Sequence, residues 1–206
     1  MVNPWRKIDL SDYENHMSLD SVKQLQALNL IMKDQLSAYD VHTVMIMGIA
    51  GGNGLEHITN EKYQKVYGID INEDFLKAVA ERYKSLANIL VCLNIDIVTE
   101  TAKLPEAELL IANLLVEYVG YGAFTKALEK VKPHYVSCVV QINEDETQWV
   151  SDSPYIHAFD ELDSVHHQME ENELTLAMNE AGYRLINKTK TSLPNGKSFV
   201  RLDYKI

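Results

Sequence analysis

Three features are scarce in this 206-residue sequence: cysteine, clustered positive charge and long apolar runs. Its two cysteines, Cys92 and Cys138, lie in apolar, strand-like segments, so we expect buried, reduced thiols, and two cysteines alone cannot frame a zinc site. Nineteen Lys and Arg against thirty Asp and Glu give a formal net charge of −11, and no dense basic cluster occurs. This charge disfavours nucleic acid and anionic membranes as partners.

The longest apolar run, "LLIANLLVEYV", is interrupted by Asn113 and Glu117 and is too short to span a bilayer. The N-terminal stretch lacks the apolar segment of a signal peptide. We therefore expect a cytoplasmic protein that does not contact a membrane. Its length and its 46% hydrophobic content are typical of one globular domain, and they leave the oligomeric state open.

Strand-like and helix-like segments alternate along most of the chain. The first strand-like segments, "HTVMIMG" and "KVYGID", are continuously apolar, which is typical of strands covered on both faces. Three more follow: "NILVCLNID", "AELLIANLL" and "HYVSCVVQI". Helices are predicted between them, one capped by Asn72 and one over "YGAFTKALEKVK", stopped by Pro133. The pattern predicts an α/β protein with a doubly wound, mostly parallel sheet in three layers.

The two ends of the chain depart from this alternation. Near the start, a helix is predicted to begin at Ser18 or Asp20. Near the end, a helix over "ENELTLAMNEAG" precedes two β-like runs joined at Asn195-Gly196, which predicts an antiparallel hairpin with a type I′ turn. We expect residues 1–40 to form an N-terminal lid segment and helix, and residues 41–206 to form the main part of the domain.

A glycine-rich corner, "GIAGGNG", follows the first predicted strand, and a short helix is predicted over "LEHITNE". A dinucleotide site requires G-x-G-x-x-G, but His57 stands where the third glycine should be. The Gly-Lys-Ser/Thr of a phosphate-binding P-loop is also missing. A nicotinamide-dependent oxidoreductase is therefore disfavoured.

The order of strand, glycine corner, helix, strand ending in Asp70 and terminal hairpin resembles the class I S-adenosylmethionine-dependent methyltransferases. The resemblance covers about residues 40–206, and it implies that residues 41–206 form an S-adenosylmethionine-binding methyltransferase domain. It implies S-adenosyl-L-methionine as cofactor, with the corner at its methionine and ribose portions, Asp70 at the ribose hydroxyls and Asp96 at the adenine. "LLVEYVG" resembles the stretch that follows strand four in that family. The implied cofactor-binding residues are Gly48, Ala50, Gly51, Gly52, Asn53, Gly54, Asp70, Ile71, Asp96, Ile97 and Asn113.

The sequence departs from this family at one acidic position. The family often carries an acid two residues before its first motif glycine; if Ala50 is that glycine, the position is Gly48. The role of that acid, often a link to the cofactor's amino group, is therefore vacant or filled by another residue. Glu56 on the first turn after the corner is expected to interact with the helix N-terminus, and a contact with the cofactor is the alternative.

The methyl acceptor is expected beyond the carboxyl ends of the strands, near Asn113. There, Asn-Leu-Leu-Val replaces the Asn/Asp-Pro-Pro-aromatic motif of enzymes that methylate base amino groups, so that substrate class loses support. In the N-terminal segment, Tyr13 and His16 are candidates to cover the pocket, with His16 a possible general base near neutral pH. The alternative is that Trp5 and Tyr13 only anchor this segment on the sheet.

A second candidate lid runs over residues 143–168 and contains Trp149, Tyr155, Phe159 and adjacent histidines. The histidines in "HHQMEE" are expected to begin a solvated helix, so no metal site is predicted. The leading hypothesis is therefore a methyltransferase (EC 2.1.1.-) with Tyr13, His16 and Asn113 as candidate catalytic residues and a small-molecule acceptor. The alternative is a non-catalytic cofactor-binding or regulatory protein with the same fold.

Overall fold

The computed structural model describes residues 3–143 and 150–206. Within them, seven strands form one sheet in the order β3-β2-β1-β4-β5-β7-β6. The strands are β1 Thr43–Met47, β2 Lys65–Asp70, β3 Leu90–Asn94, β4 Leu109–Asn113, β5 Tyr135–Ile142, β6 Arg184–Ser192 and β7 Ser198–Lys205. The α-helices are α1 Leu10–Ser18, α2 Gln24–Ser37, α3 Glu73–Arg82, α4 Val116–Val131 and α5 Glu171–Glu180.

Strands β1 to β5 are parallel, and β7 lies antiparallel between β5 and β6. The strand order reverses at β1, which pairs with β2 on one side and β4 on the other. Met47, the last residue of β1, lies opposite Ile69 and Ala112, so all three strands end at the same edge. The predicted doubly wound sheet with a C-terminal antiparallel hairpin is confirmed. Open sheets of this kind bind ligands where the order reverses.

The strand β1 shows why the apolar runs are continuous. Met45 and Met47 belong to a core with α4 and α5, whereas Val44 and Ile46 belong to another with α2 and α3. Successive side chains of a strand point to opposite faces, and here both faces are covered by helices. This is the predicted three-layer arrangement.

The prediction of the first long helix was wrong at its start. Ser18 ends α1, and α2 begins only at Gln24, after Lys23 in a left-handed conformation (φ 50°) and without a side-chain cap. The earlier residue Asp9 caps α1, because its side chain accepts hydrogen bonds from the backbone N–H groups of Ser11 and Asp12. The predicted helix therefore corresponds to α2, and α1 lies before it in a segment for which no helix was predicted.

Two turns also differ from their predictions. The helix after the glycine corner is a single 3-10 turn, Leu55–His57. In the hairpin, Gly196 has a positive φ of 78° but Asn195 does not, so the turn is not type I′. The Gly196 N–H instead donates to the Leu193 carbonyl, which places Pro194 and Asn195 at the centre of the turn. The fixed negative φ of Pro194 suits that position.

The two cysteines are free thiols in different settings. Cys138 on the central strand β5 is fully buried, as predicted. Cys92 is only half-buried because β3 is an edge strand, so its predicted full burial was wrong. Among the described residues, no helix combines the length and apolarity needed to cross a membrane.

Candidate active site

A cavity opens at the carboxyl ends of β1, β2 and β4, where the strand order reverses. It encloses about 1150 Å³ of space, part of which is open solvent at its mouth. The strand ends form its floor, and the N-terminal segment and residues 150–166 supply further walls. Residues from both predicted lid segments therefore line one space.

Left-handed backbone occurs on this floor at two residues that have side chains. Ala50, after β1, has a φ of 45°, and Leu114, after β4, has a φ of 53°. Both line the cavity. Non-glycine residues in this conformation cost about 1–3 kcal/mol each and concentrate at ligand sites, where the surrounding fold holds them.

Asp70 is the carboxylate that ends β2, and it is 9% exposed. Its Oδ2 accepts a hydrogen bond from the Ala50 backbone N–H at 2.9 Å, and its Oδ1 accepts one from the Asn72 N–H at 2.9 Å. Burial raises the pKa of Asp70, and these backbone hydrogen bonds partly offset the effect. Each carboxylate oxygen has two lone pairs, so Asp70 can still accept hydrogen bonds from a ligand in the cavity.

The glycine corner divides into two parts. Gly48 and Ala50 line the large cavity and also a smaller cavity beside it. Gly51 and Asn53 line only the smaller cavity. Gly52 and Gly54 instead face protein side chains. A Cβ at Gly52 would lie 2.8 Å from the Tyr83 ring, and a Cβ at Gly54 would overlap the Met32 side chain. Contact of Gly52 and Gly54 with a cofactor stays a prediction.

An ion pair lies directly over Gly51. The Arg82 guanidinium at the end of α3 donates to both carboxylate oxygens of Glu14 on α1, and also to the Gly51 carbonyl at 3.2 Å. Glu14 lines the smaller cavity. An acid is therefore present beside the corner, although it comes from the N-terminal helix and not from β1. Glu56, in contrast, accepts a hydrogen bond from the Gly54 N–H at 3.0 Å, as expected for its interaction with the helix N-terminus.

The remaining predicted cofactor residues line the cavity near the end of β3. Asp96 accepts a hydrogen bond at Oδ1 from the Val98 N–H at 3.0 Å. Ile71 and Ile97 add apolar surface to the same cavity.

Asn113 ends β4 and lines both cavities. Its amide forms a reciprocal pair with Gln35, with distances of 2.8 and 2.9 Å, and Gln35 is fully buried and also donates to Ser137. Both ends of the Asn113 amide are thus engaged by protein. This arrangement suits a fixed wall, and a catalytic role for Asn113 stays a prediction.

Tyr13 and His16 lie on α1 and line the cavity, as does Trp5. Burial raises the pKa of Tyr13 most, and the negative charges of Asp70, Glu14 and Glu117 raise it further. Burial lowers the pKa of His16 to about 4, and its Nδ1 lies 2.7 Å from Ser153 Oγ. His16 is therefore neutral near pH 7 but a weaker base than the sequence suggests.

The second lid segment contains a 3-10 helix, Ile156–Ser164, whose Phe159 ring lies 4.8 Å from that of His16. Trp149 lies outside the described residues. His166 and His167 do not begin a helix, because α5 starts at Glu171, and His166 lines the cavity. No group of three or more His, Cys, Asp and Glu in residues 3–143 and 150–206 could hold a metal ion.

Sequence reasoning missed Glu117 as a candidate site residue. It lies in the first turn of α4, is 5% exposed and lines the cavity. Burial raises its pKa to about 8. Its Oε2 and the Trp5 Nε1 are buried without a hydrogen-bond partner among the described residues. The available signal was a carboxylate within an otherwise apolar run, "LLVEYVG".

The Asp, Glu, Lys and Arg side chains that line the cavity are all acidic. Asp70, Asp96 and Glu117 line it, and its described lining contains no Lys or Arg. Aromatic rings contribute as well, from Trp5, Tyr13, Phe75, Tyr118 and Phe159. Carboxylates and aromatic faces attract positive charge, so the cavity suits a cationic ligand.

Comparisons with known proteins identify the fold. No protein-family model and no curated protein sequence matches the chain. Among solved structures, the N-methyltransferase NodS from Bradyrhizobium japonicum WM9 in complex with S-adenosyl-L-homocysteine is 11% identical, with a TM-score of 0.67 over 98% of both chains. Magnesium protoporphyrin IX methyltransferase from Synechocystis PCC 6803, with bound S-adenosylhomocysteine, is 11% identical, with a TM-score of 0.64 over 98% of this chain and 92% of that one.

A third similar structure is the [4+2]-cyclase SpnF, at 10% identity and a TM-score of 0.66 over 89% of this chain and 82% of that one. The fold of this protein is therefore that of the class I methyltransferases. The same fold also occurs in a protein named for another activity.

Proposed function

We propose that this protein is an S-adenosylmethionine-dependent methyltransferase that acts on a small molecule. The observation that carries the proposal is the buried Asp70 carboxylate at the cavity floor, fixed by the backbone N–H groups of Ala50 and Asn72. A fixed acceptor with free lone pairs suits two vicinal ribose hydroxyls. The two similar methyltransferases with bound S-adenosylhomocysteine support the choice of cofactor.

The cofactor would lie along the strand ends. Asp70 would accept hydrogen bonds from the ribose, Ile71, Asp96 and Ile97 would surround the adenine, and the Gly48–Gly54 corner would meet the methionine portion. The bound cofactor supplies a methyl group already activated by the positive sulfonium. The acidic and aromatic wall is complementary to that charge. The protein's own task is to orient the acceptor and exclude water.

Glu14 is our candidate for the acidic role that the sequence leaves vacant at Gly48. It lines the smaller cavity beside Gly51, and Arg82 holds it there. In this arrangement Glu14 would bind the cofactor's amino group. Because Glu14 lies on α1, residues 1–40 would act as a lid that contributes directly to cofactor binding.

The acceptor would occupy the part of the cavity between the strand ends and the lid, near Tyr13, His16 and Glu117. The net charge of −11 favours a small molecule over nucleic acid. We also propose a cytoplasmic location, since the two cysteines are free thiols. A non-catalytic cofactor-binding protein is the competing function.

Incubation with methyl-labelled S-adenosylmethionine and a metabolite extract, followed by mass spectrometry, tests the proposal. We expect S-adenosylhomocysteine to form together with a labelled small molecule. Tight cofactor binding without any transfer would support the non-catalytic alternative.

A further inference from the structure

Glu117 presents an unsatisfied carboxylate to the cavity. Its side chain is 5% exposed, and no described residue donates a hydrogen bond to Oε2. A buried acceptor without a donor destabilises a fold, and more so when it is charged. A carboxylate kept in this state at a cavity wall indicates that a ligand supplies the missing donor.

The local backbone holds Glu117 at this wall. Leu114, with its positive φ, turns the chain sharply after β4, and α4 then begins at Val116. Gly120 has non-helical angles, which separate the turn bearing Glu117 from the rest of the helix. The Glu117 carbonyl accepts a hydrogen bond from the His167 N–H at 2.7 Å. This turn is thus fixed to the end of the second lid segment.

The surroundings of Glu117 are aromatic. The Trp5 ring packs edge-on against Tyr118, the next residue, with 4.9 Å between ring centroids. Burial raises the pKa of Tyr118, and the nearby charge of Glu117 raises it further. The Glu117 carboxyl group lies among aromatic rings, and the described cavity lining contains no Lys or Arg. Such an environment binds ammonium groups.

We propose that the methyl acceptor is an amine and that Glu117 binds its nitrogen and accepts a proton from it. This inference rests on the proposed methyltransferase function and specifies its substrate class. Glu117 first accepts one proton from the bound ammonium group, which leaves a lone pair on the nitrogen. That lone pair forms the new bond to the methyl carbon as the bond from that carbon to sulfur breaks. The electron pair of the broken bond stays on sulfur, and the proton on Glu117 Oε2 passes to water.

Other acceptor classes fit this wall less well. A carboxylate acceptor would be repelled by the charges of Asp70 and Asp96. An alcohol can donate one hydrogen bond but carries no positive charge for the aromatic rings. Burial raises the pKa of Glu117 to about 8, which suits a group that gains and loses a proton near neutral pH.

The test uses a panel of small primary and secondary amines, each paired with the alcohol and the carboxylic acid of the same carbon skeleton. Binding to the full chain is measured by calorimetry with S-adenosylhomocysteine present, and methyl transfer is measured by mass spectrometry. We expect binders and products to be amines. Glu117→Gln should weaken amine binding about 10- to 100-fold, through loss of a charge-assisted hydrogen bond. Glu129→Gln, at an exposed position of the same helix, should leave it unchanged.

Alcohols or acids that bind and react as well as their paired amines would overturn the inference. So would a panel without any amine binder, or a Glu117→Gln variant that binds amines as tightly as the wild type. S-adenosylhomocysteine binding by Glu117→Gln shows that the variant folds and keeps its cofactor site. Failure of the wild type to bind S-adenosylhomocysteine would instead refute the proposed function itself.

Discussion

The Asp70 carboxylate at the end of β2 accepts a hydrogen bond from the backbone N–H of Ala50, 20 residues earlier, at 2.9 Å. This contact joins the end of one strand to the left-handed corner after its neighbour. The same carboxylate also accepts the N–H of Asn72, whose side chain caps α3. Asp70 thus shapes the corner and, in the proposed function, also binds the cofactor.

Substitution of Asp70 should affect affinity and stability together. Asp70→Ala removes the acceptor of two buried N–H groups and the proposed ribose ligand. With hydrogen bonds to charged groups worth about 1.5–3 kcal/mol each, we expect cofactor affinity to fall about 10- to 1000-fold. The melting temperature should also fall. Asp70→Asn should lose less of both, because one acceptor oxygen remains.

The control is Asp74→Asn, at an exposed position in the first turn of α3. This substitution should change neither the cofactor affinity nor the melting temperature appreciably. If Asp70→Ala lowers only the melting temperature and leaves affinity intact, Asp70 has a structural role alone.

A side chain at Gly52 should disturb the fold before it disturbs any ligand. Gly52 has a φ of 82°, and a Cβ there would approach Tyr83 to 2.8 Å and Leu55 to 3.0 Å. We expect Gly52→Ala to lower the free energy of unfolding by about 1–3 kcal/mol, from backbone strain and overpacking. Urea denaturation measures this. Gly122→Ala is the control, since a Cβ at Gly122 would meet nothing within 4 Å.

Burial of His16 should make the protein sensitive to acid. Its pKa is lowered to about 4 in the fold, against about 6.5 when unfolded. Between these values the unfolded chain binds more protons, so stability falls as the pH falls. We expect wild type to lose about 1–2 kcal/mol relative to His16→Gln on going from pH 7 to pH 5. The variant His157→Gln, at an exposed position, should lose as much stability between pH 7 and pH 5 as the wild type. If His16→Gln loses as much as well, His16 is not buried in solution.

Glu117 should show the opposite linkage. Burial raises the pKa of Glu117 to about 8 in the fold, against about 4.3 in the unfolded chain. Its contribution to the stability of the fold is therefore fully present below about pH 4.3 and is lost as the pH rises through 8. At pH 9 we therefore expect Glu117→Gln to be more stable than wild type by about 1–3 kcal/mol. A gain in thermal stability together with lost amine binding would mark Glu117 as a functional residue. A loss of stability at pH 9 would contradict this.

Sequence patterns predicted the fold better than the site. The continuously apolar strands predicted a sheet covered on both faces, and the two β-like runs near the end of the chain predicted the antiparallel hairpin. The start of α2 was missed because this helix begins without a side-chain cap, after Lys23 in a left-handed conformation. Glu117 was missed because its burial depends on lid segments that are distant in sequence and meet only in the fold.

The cofactor site at Asp70 is the foundation of the proposed function, and titration calorimetry on wild type and Asp70→Ala examines it without needing the acceptor. The ligands are S-adenosylhomocysteine, S-adenosylmethionine and NAD. We expect wild type to bind both sulfur ligands and to bind NAD weakly or not at all, and Asp70→Ala to bind the sulfur ligands about 10- to 1000-fold more weakly. Tight NAD binding without a response to either sulfur ligand would contradict the proposed function.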